Sequence, residues 1–532
     1  MTYKILVSDK LSEDGLEVLR KAGFEVDHLP EITQEEIREC IAKYHAWVIR
    51  SRSKATAEIL EKAENLKVVG RAGVGVDNVD IDAASKRGII VMNTPGGNTI
   101  STAEHAISMM MALARKIPAA DASMKAGKWD KKSFMGAELR GKTLGVFGLG
   151  RIGQEVCKRM RAFDMSILAY DPFVSTEAMK HLGVETASID EICRRADFIT
   201  IHTPMSPETK KMINAERLAM MKKTCRVVNC ARGGIVDEAA LADALKNGTI
   251  AGAALDVFEH EPIGADHPLM GLTNAVLTPH IAASTVEAQE NVAIQVAEQI
   301  LDVLLNSKIT NAVNAPSIDP KILDSLKPFL RLAEKLGAFA AQFSQGRPKR
   351  LTCRYSGSVL EYPLQPLTTA FAKGFLQTTT DRPINYVNAL PILAERGIEI
   401  LETRSSSQFR YRNLLTLAVE TEDGVEDIFA GTVFEPDHGR IVMVNDKSFV
   451  AHPEGNLVVV ENEDVPGVIG QVGTFFGKES INIAEMTWGR VEDGAGKGHA
   501  MTIINIEGPI TSGQLAELRK LPNIKSARLI RL

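Results

Sequence analysis

Three polar residues stand where apolar runs end. Arg232 closes "CRVVNCAR", Glu261 follows "GAALDVF" in "FEHEP", and His280 closes "AVLTPHIA". A guanidinium can hold a carboxylate in two hydrogen bonds and polarise an adjacent carbonyl. An imidazole can take a proton from a hydroxyl or return it to a carbonyl near neutral pH. A neighbouring carboxylate stabilises the imidazolium form. These types together fit hydride transfer, in which a cofactor carries the electrons while the protein places the substrate and moves a proton. His280 is then the expected acid/base, Glu261 its tuner and Arg232 the clamp. Each alone has a plainer reading, a core histidine or a structural ion pair; it is their succession along one set of strands that makes a catalytic set. His202 and His260 are the nearby alternatives to His280, without a comparable strand-end setting.

Such chemistry needs a hydride carrier, and "GVFGLGRIGQEVCKRM" offers a place for one. Gly148, Gly150 and Gly153 follow a strand in GxGxxG spacing and open a helix whose apolar Ile152, Val156 and Met160 recur at every fourth position. The first glycine makes a tight turn, the second lets backbone approach a pyrophosphate, and the third lets helix and strand pack closely. The helix start adds free N–H groups and positive potential. Asp171 ends the next strand, eighteen residues after Gly153. An acid there hydrogen-bonds a ribose 2′-hydroxyl and repels a 2′-phosphate, so NAD is expected rather than NADP. A helix cap is the alternative role for Asp171. Thr203, Pro204 and Asp256 also lie at strand ends, where open α/β sheets bind ligands.

The elements that position these residues alternate strand and helix. "YKILVSD", "AWVIRS", "LKVVGRAG" and "IIVMNTPG" are short apolar runs with helical stretches between, one opened by the capping-box pair Thr33 and Glu36. A long helical pattern, "TISTAEHAISMMMALARKI", leads to the second set, which holds the residues above. Alternation of this kind argues parallel sheets with helices on both faces. The helix "EAQENVAIQVAEQILDVLL" leads back to the first set, and "TNAVNAPSIDP" reads as a linker. Beyond it, residues 320 to 455 mix helical and β-rich stretches, and the last eighty follow the βαββαβ order of ferredoxin-like domains.

A chain of 532 residues is too long for one core. With 45% hydrophobic and 24% charged residues it has the balance of a soluble globular protein. A net charge of -5 gives no electrostatic reason to expect nucleic acid or an anionic membrane. No apolar run reaches the length of a membrane span, and the first residues lack the apolar stretch of a secretory signal. The six cysteines lie far apart without a CxxC, as expected of reduced thiols in the cytoplasm, with neither a disulfide frame nor a metal site.

The stretches "GLGRIGQEV", "NCARGGIVDEAAL", "ALDVFEHEP" and "LTPHIAAST" together resemble the NAD-dependent D-2-hydroxyacid dehydrogenase family. The resemblance implies that Arg232, Glu261 and His280 are its catalytic arginine, glutamate and histidine. It implies cofactor contacts at Gly148, Gly150, Arg151, Ile152, Gly153, Asp171, Thr203, Pro204, Cys230, Ala231, Arg232, Asp256, His280, Ala282 and Ala283. "VIRSRSK", "GRAGVGVDNVD" and "NTPGGNTISTAEH" are similar to the members that oxidise 3-phosphoglycerate at the entry to serine synthesis. By that likeness Arg50, Gly73, Val74, Gly75, Asn98 and Arg232 hold the substrate. Val74 stands where those members commonly have threonine. Lys131, Lys132 and Arg71 are further cations, equally readable as solvated surface charge. Another D-2-hydroxy acid such as glycerate, or a ligand-sensing scaffold of the same family, are the alternative functions.

The likeness extends to the C-terminus. It implies a substrate-binding domain of flavodoxin-like type over 1–97 and 290–315 and a Rossmann domain over 98–289. An intervening, anion-sensing domain of α+β type follows over 316–455, and an ACT domain over 456–532 that pairs side by side in a homo-oligomer, dimer or tetramer. L-serine is the implied effector, at Asn462, Asp464, the "PGVIG" turn and Asn482. Exposed N–H groups after "DVPGV" suit a carboxylate, and Asp464 suits an ammonium.

Overall fold

The computed structural model describes residues 2–306, 308–316, 318, 320–380, 382–405, 411–434, 438–490 and 498–532. Positions 317 and 319 of the expected linker lie outside the described residues. Three sheets organise the chain.

The first sheet holds β1 (Lys4–Val7), β2 (Glu25–His28), β3 (Ala46–Ile49), β4 (Val68–Arg71) and β5 (Ile90–Met92), in the order β2-β1-β3-β4-β5. All its pairings are parallel, in the flavodoxin-like order. Helices cover both faces, which is why "AWVI" is apolar at every position and wholly buried. One covering helix arrives from far along the chain. Val286–Asn306 lies against Glu13–Lys21 and sends Val292, Val296, Ala297 and Ile300 into this core. Two glycines permit the approach: a Cβ on Gly15 would sit 2.8 Å from Ala293 Cβ, and one on Gly70 2.6 Å from Val296 Cγ2. The chain then runs beside β5, where Val313 N–H donates to the Val91 carbonyl and Val91 N–H to Asn314 Oδ1.

The second sheet is seven-stranded and wholly parallel. It holds β6 (Thr143–Phe147), β7 (Ser166–Tyr170), β8 (Glu185–Thr186), β9 (Phe198–Ile201), β10 (Arg226–Asn229), β11 (Gly252–Leu255) and β12 (Ala275–Leu277). Its order is β12-β11-β10-β9-β6-β7-β8. The order reverses between β6 and β9, and a crevice opens at such a switch point. The expected long helix is Thr99–Arg115, which ends at Lys116, whose φ is +53°; a further helix, Ile117–Lys125, starts anew with Pro118 in its first turn.

The third sheet contains β13 (Pro348–Gly357), β14 (Glu399–Ser405), β15 (Asn413–Thr421), β16 (Glu426–Phe434), β17 (His438–Val444) and β18 (Lys447–Ala451). It continues through β19 (Asn456–Glu463), β20 (Asn482–Arg490), β21 (His499–Glu507) and β22 (Ile524–Arg531). The order is β14-β13-β15-β16-β17-β18-β20-β21-β19-β22. The last four strands, with helices Val468–Lys478 and Ser512–Arg519, make the expected βαββαβ unit. The expected boundary near 455 does not break the sheet, because β18 meets β20 at Ser448 and Arg490. The sequence of β19, "NLVVVENE", explains the fusion. Val458 and Val460 pack under the unit's own helices, while Leu457 and Val459 face the other way. That second face is covered by helix Pro320–Phe343, so Leu457 and Val459 share one core with Leu336, Phe339 and Phe429. This body touches the first sheet's domain where Asn385 Nδ2 donates to the Gly88 carbonyl at 2.8 Å and Val387 enters its core.

Candidate active site

The glycine loop between β6 and helix Arg151–Arg161 is shaped by contacts no side chain would allow. Gly148 has φ +92°, and a Cβ there would lie 2.7 Å from the His202 carbonyl oxygen. A Cβ on Gly153 would meet the Gly148 oxygen at 2.1 Å. On Gly150 it would meet nothing within 4 Å, so the middle glycine faces open space at the helix start. Asp171 does not cap a helix; Ser175 caps the next one. Its carboxylate accepts Leu149 N–H at 2.7 Å and Phe173 N–H at 2.8 Å. It therefore ties the end of β7 to the glycine loop and keeps lone pairs for a ribose.

Beyond the loop a cavity of about 250 Å³ is lined by Val74, Asn98, Thr102, Ile152, His202, Thr203, Pro204, Cys230, Ala231, Arg232, His280, Ala282 and Ala283. Asn98 Oδ1, Thr102 Oγ1, His202 Nδ1 and Thr203 Oγ1 are buried there without a hydrogen-bond partner among the described residues. Buried polar atoms are nearly always bonded, so these are atoms a ligand would satisfy. His202 follows β9 directly and so does hold a strand-end position, contrary to expectation. Burial pushes its imidazole down to about 4, which leaves it neutral, with Nε2 3.0 Å from Thr200 Oγ1. His260 is exposed and lines none of these walls.

His280 and Glu261 form a direct pair, Nδ1 to Oε2 at 2.7 Å, and Glu261 Oε1 accepts Phe258 N–H at 2.9 Å. His280 has φ +54°, an uncommon value for a side chain larger than glycine's. Asp256 holds it there. The Asp256 carbonyl accepts His280 N–H, and the carboxylate accepts Thr278 Oγ1–H at 2.6 Å and the N–H groups of Ile281 and Ala282 at 2.9 Å. Burial drives the Asp256 carboxyl up; the hydrogen bonds from His105, Thr278 and these N–H groups outweigh it and hold the group below its ordinary range. Asp256 is thus wholly buried under the His280 turn rather than on the cavity wall. His105, from helix Thr99–Arg115, lies 3.3 Å from its Oδ1 and was not anticipated. Nor was Glu238, which accepts Glu259 N–H at 2.6 Å and pairs with His267 at 2.8 Å, bracing the loop ahead of Glu261.

A second cavity of about 300 Å³ adjoins the first and is lined by Arg50, Arg71, Gly73, Asn98, Glu261 and His280 among others. Arg50 follows β3. Asp9 fixes its loop by accepting Arg50 N–H at 2.6 Å and Ser53 N–H at 3.2 Å, and Asn78 bridges the carbonyls of Arg50 and Ser53. Arg71 ends β4. It is not a solvated surface charge: burial first, then the neighbouring Arg232, pushes it down to about 10, and its Nε is buried without a partner among the described residues. Burial also lowers Arg50, with Asp9 opposing. Arg232 reaches in from the second sheet and faces Asp77 across the cleft at 3.3 Å. Lys131 and Lys132 are exposed and off the cleft, Lys131 lying over the Trp129 ring. Arg71, discounted in the sequence, shares a signal with Arg50 and Arg232, since each stands at or just past the C-terminal end of a parallel strand.

Residues 107–282 match the family described as D-isomer specific 2-hydroxyacid dehydrogenase, NAD binding domain. Residues 325–445 match the D-3-phosphoglycerate dehydrogenase intervening domain. Over 529 residues the chain is 46% identical to a D-3-phosphoglycerate dehydrogenase of Archaeoglobus fulgidus, covering 99% of this chain and 100% of that one. The enzyme of the same name from Bacillus subtilis is 41% identical over 538 residues, with 100% of both chains covered. The chain belongs to the D-3-phosphoglycerate dehydrogenase family.

Solved structures match somewhat more than half of the chain. A Thermus thermophilus protein superposes with TM-score 0.55 at 36% identity over 58% of this chain and 99% of that one. An apo D-lactate dehydrogenase of Escherichia coli does so with TM-score 0.53 at 28% identity over 59% of this chain and all of the other. The cofactor of this family member is NAD. Its glycine loop fits that group: open space at Gly150 for a pyrophosphate, the Asp171 carboxylate for a ribose, and the unpartnered Thr203 and Asn98 oxygens farther in. Among the described residues no three His, Cys, Asp or Glu side chains are grouped to hold a metal, and no helix is long and apolar enough to cross a membrane.

The three expected effector residues do not meet within one chain. Asn462 pairs with Ala500 across β19 and β21, and Asn482 with Glu507 across β20 and β21. Those partners are seven residues apart on β21 (507 less 500), about 23 Å at roughly 3.3 Å per residue. Asn462 is wholly buried, its Oδ1 unpartnered among the described residues. Asp464 is paired with Arg490 at 3.1 Å, and Asn482 donates to Glu507.

Proposed function

We propose that this enzyme oxidises the C2 hydroxyl of 3-phosphoglycerate to 3-phosphohydroxypyruvate, the first step of the phosphorylated route to serine. One observation carries the reading: Arg50 and Arg71 from one sheet and Arg232 from the other converge on a cleft that also holds the His280–Glu261 pair. A substrate with a carboxylate at one end, a phosphate at the other and a hydroxyl between matches that spacing of charge. Arg232 takes the carboxylate and polarises C2, Arg50 and Arg71 take the phosphate, and the backbone of Gly73, Val74 and Gly75 with Asn98 seats the middle. NAD held at the glycine loop would supply the hydride acceptor for C2. His280 takes the hydroxyl proton at Nε2 while Nδ1–H stays on Glu261, which fixes ring and tautomer. A substrate without phosphate would leave two partly buried guanidiniums unpaired, a costly arrangement, and that disfavours glycerate.

Residues 456–532 act in this reading as an ACT sensor of L-serine, and 316–455 as an intervening allosteric domain. Among the described residues β20 is paired on this side only at Arg490, which leaves an edge for a second copy. Antiparallel pairing of two such edges would carry Asn482 of one chain to Asn462 and Asp464 of the other, so the effector site would exist only in the homo-oligomer, in a cytoplasmic enzyme. NADH consumption measured with phosphohydroxypyruvate and with hydroxypyruvate, each with and without L-serine, tests both parts. Equal kcat/KM for the two acids would sink the phosphate assignment, and a serine-independent rate would sink the sensor.

A further inference from the structure

The nitrogens of Arg232 are not equally available. Nη1 donates to the neighbouring Ala231 carbonyl at 2.7 Å. The Nε–Nη2 edge is the one that takes a carboxylate in two hydrogen bonds without drawing on Nη1. That edge already faces a carboxylate, since Asp77 Oδ2 lies 3.3 Å from Nε. Asp77 comes from the loop after β4, so the pair spans the cleft between the two sheets. Gly75 makes the meeting possible: a Cβ there would lie 2.0 Å from Arg232 Nη2 and 2.8 Å from Asp77 Oδ2.

We infer that Asp77 is a stand-in for the substrate carboxylate, occupying the Nε–Nη2 edge of Arg232 in the free enzyme and leaving when a 2-hydroxy acid binds. The inference rests on the clamp role proposed for Arg232. It makes Asp77 a residue that sets how strongly the cleft takes up anions. The charge balance argues for such an element. Arg50, Arg71 and Arg232 stand close enough for the other two to disfavour the charge on Arg71, and Asp77 and Asp9 oppose that effect. Asp9 is buried and committed to the Arg50–Ser53 loop. Asp77 is the counter-charge that can move, its side chain 75% exposed against 32% for Arg232. Exposed ion pairs are weak, worth about two- to fivefold in an equilibrium constant. That strength suits a placeholder: enough to disfavour stray anions, and too little to resist a bidentate carboxylate with a phosphate at its far end.

A different reading, in which Asp77 orients Arg232 for the substrate, predicts effects of opposite sign. The test uses the full-length Asp77→Asn enzyme, with Asp77→Ala as a second variant. Sulfate binding is measured by calorimetry, and KM and kcat for phosphohydroxypyruvate with NADH by steady-state kinetics. Sulfate should bind about two- to fivefold more tightly, and KM should fall by a similar factor with kcat nearly kept. Sulfate affinity unchanged or weaker overturns the proposal, as does a KM that rises while kcat falls. Asp82→Asn removes an exposed carboxylate from the neighbouring helix Ile81–Arg87; an equal gain in sulfate affinity there would reduce the effect to net charge and also overturn it. The sulfate arm needs no turnover, so it stands even if the parent enzyme proves inactive on phosphohydroxypyruvate.

Discussion

Both oxygens of Glu261 are acceptors in use, Oε2 for His280 Nδ1–H and Oε1 for Phe258 N–H. Glu261→Gln keeps the shape and replaces one acceptor by a donor. The amide can then satisfy only one of the two N–H groups. If its oxygen stays with Phe258, its NH2 faces His280 Nδ1, which must become an acceptor. The ring proton then sits on Nε2, the nitrogen that should receive the substrate proton. If the amide is turned the other way, two donors confront each other at Phe258. Hydrogen bonds to charged groups are worth about 1.5–3 kcal/mol, so losing this one in the reacting state lowers kcat about 10- to 100-fold. Enforcing the wrong tautomer pushes the loss toward the roughly 10⁴-fold seen when a triad aspartate becomes asparagine. NAD affinity should hold, because Glu261 does not line the cofactor cavity. The assay is steady-state turnover across about pH 6 to 9, with NADH binding followed separately by fluorescence. A kcat within about threefold of the parent at every pH would show that the pair does not govern proton transfer.

Further outcomes follow from the same geometry. Gly153→Ala places a Cβ 2.1 Å from the Gly148 oxygen, where backbone meets backbone; stability should drop by about 1–3 kcal/mol with weakened NADH binding, and an unchanged melting temperature would contradict the packing. Asp171→Ala should both relax the NAD preference and raise KM for NAD, since its carboxylate also holds Leu149; a lost preference at constant KM would confine it to the ribose. His202 is held near 4 when folded against 6.5 when unfolded, so the unfolded chain binds its proton first and stability falls as pH drops from about 6.5 toward 4. The loss is at most about 3 kcal/mol, and a His202→Asn enzyme should lack it; identical pH–melting curves would refute the assignment.

Much of the site was legible because its parts are local. Parallel strands covered on both faces read as apolar runs, so their C-terminal ends can be located and Arg232, Glu261 and His280 found there. GxGxxG carries its own geometry in three glycines within one turn, and the distance to Asp171 is fixed by one helix and one strand. The helix Ile117–Lys125 was not legible, because its one strong start signal, Pro118, also reads as the end of the helix before it.

What the sequence determined by itself was therefore the set of strands and helices, the dinucleotide loop and the strand-end residues proposed as acid/base and clamp. Tertiary structure alone decided what meets across the cleft and under it. Arg71 looks like an ordinary strand-end cation until the folded chain buries it beside Arg232. His105 reaches Asp256 from 151 residues away (256 less 105), and Asp77 reaches Arg232 from 155 (232 less 77). It also joined β18 to β20 in one sheet and set Asn482 far from Asn462. Hydrophobic periodicity records which face of an element is buried and says nothing of which distant element will bury it. Charges acquire partners only when that choice is made.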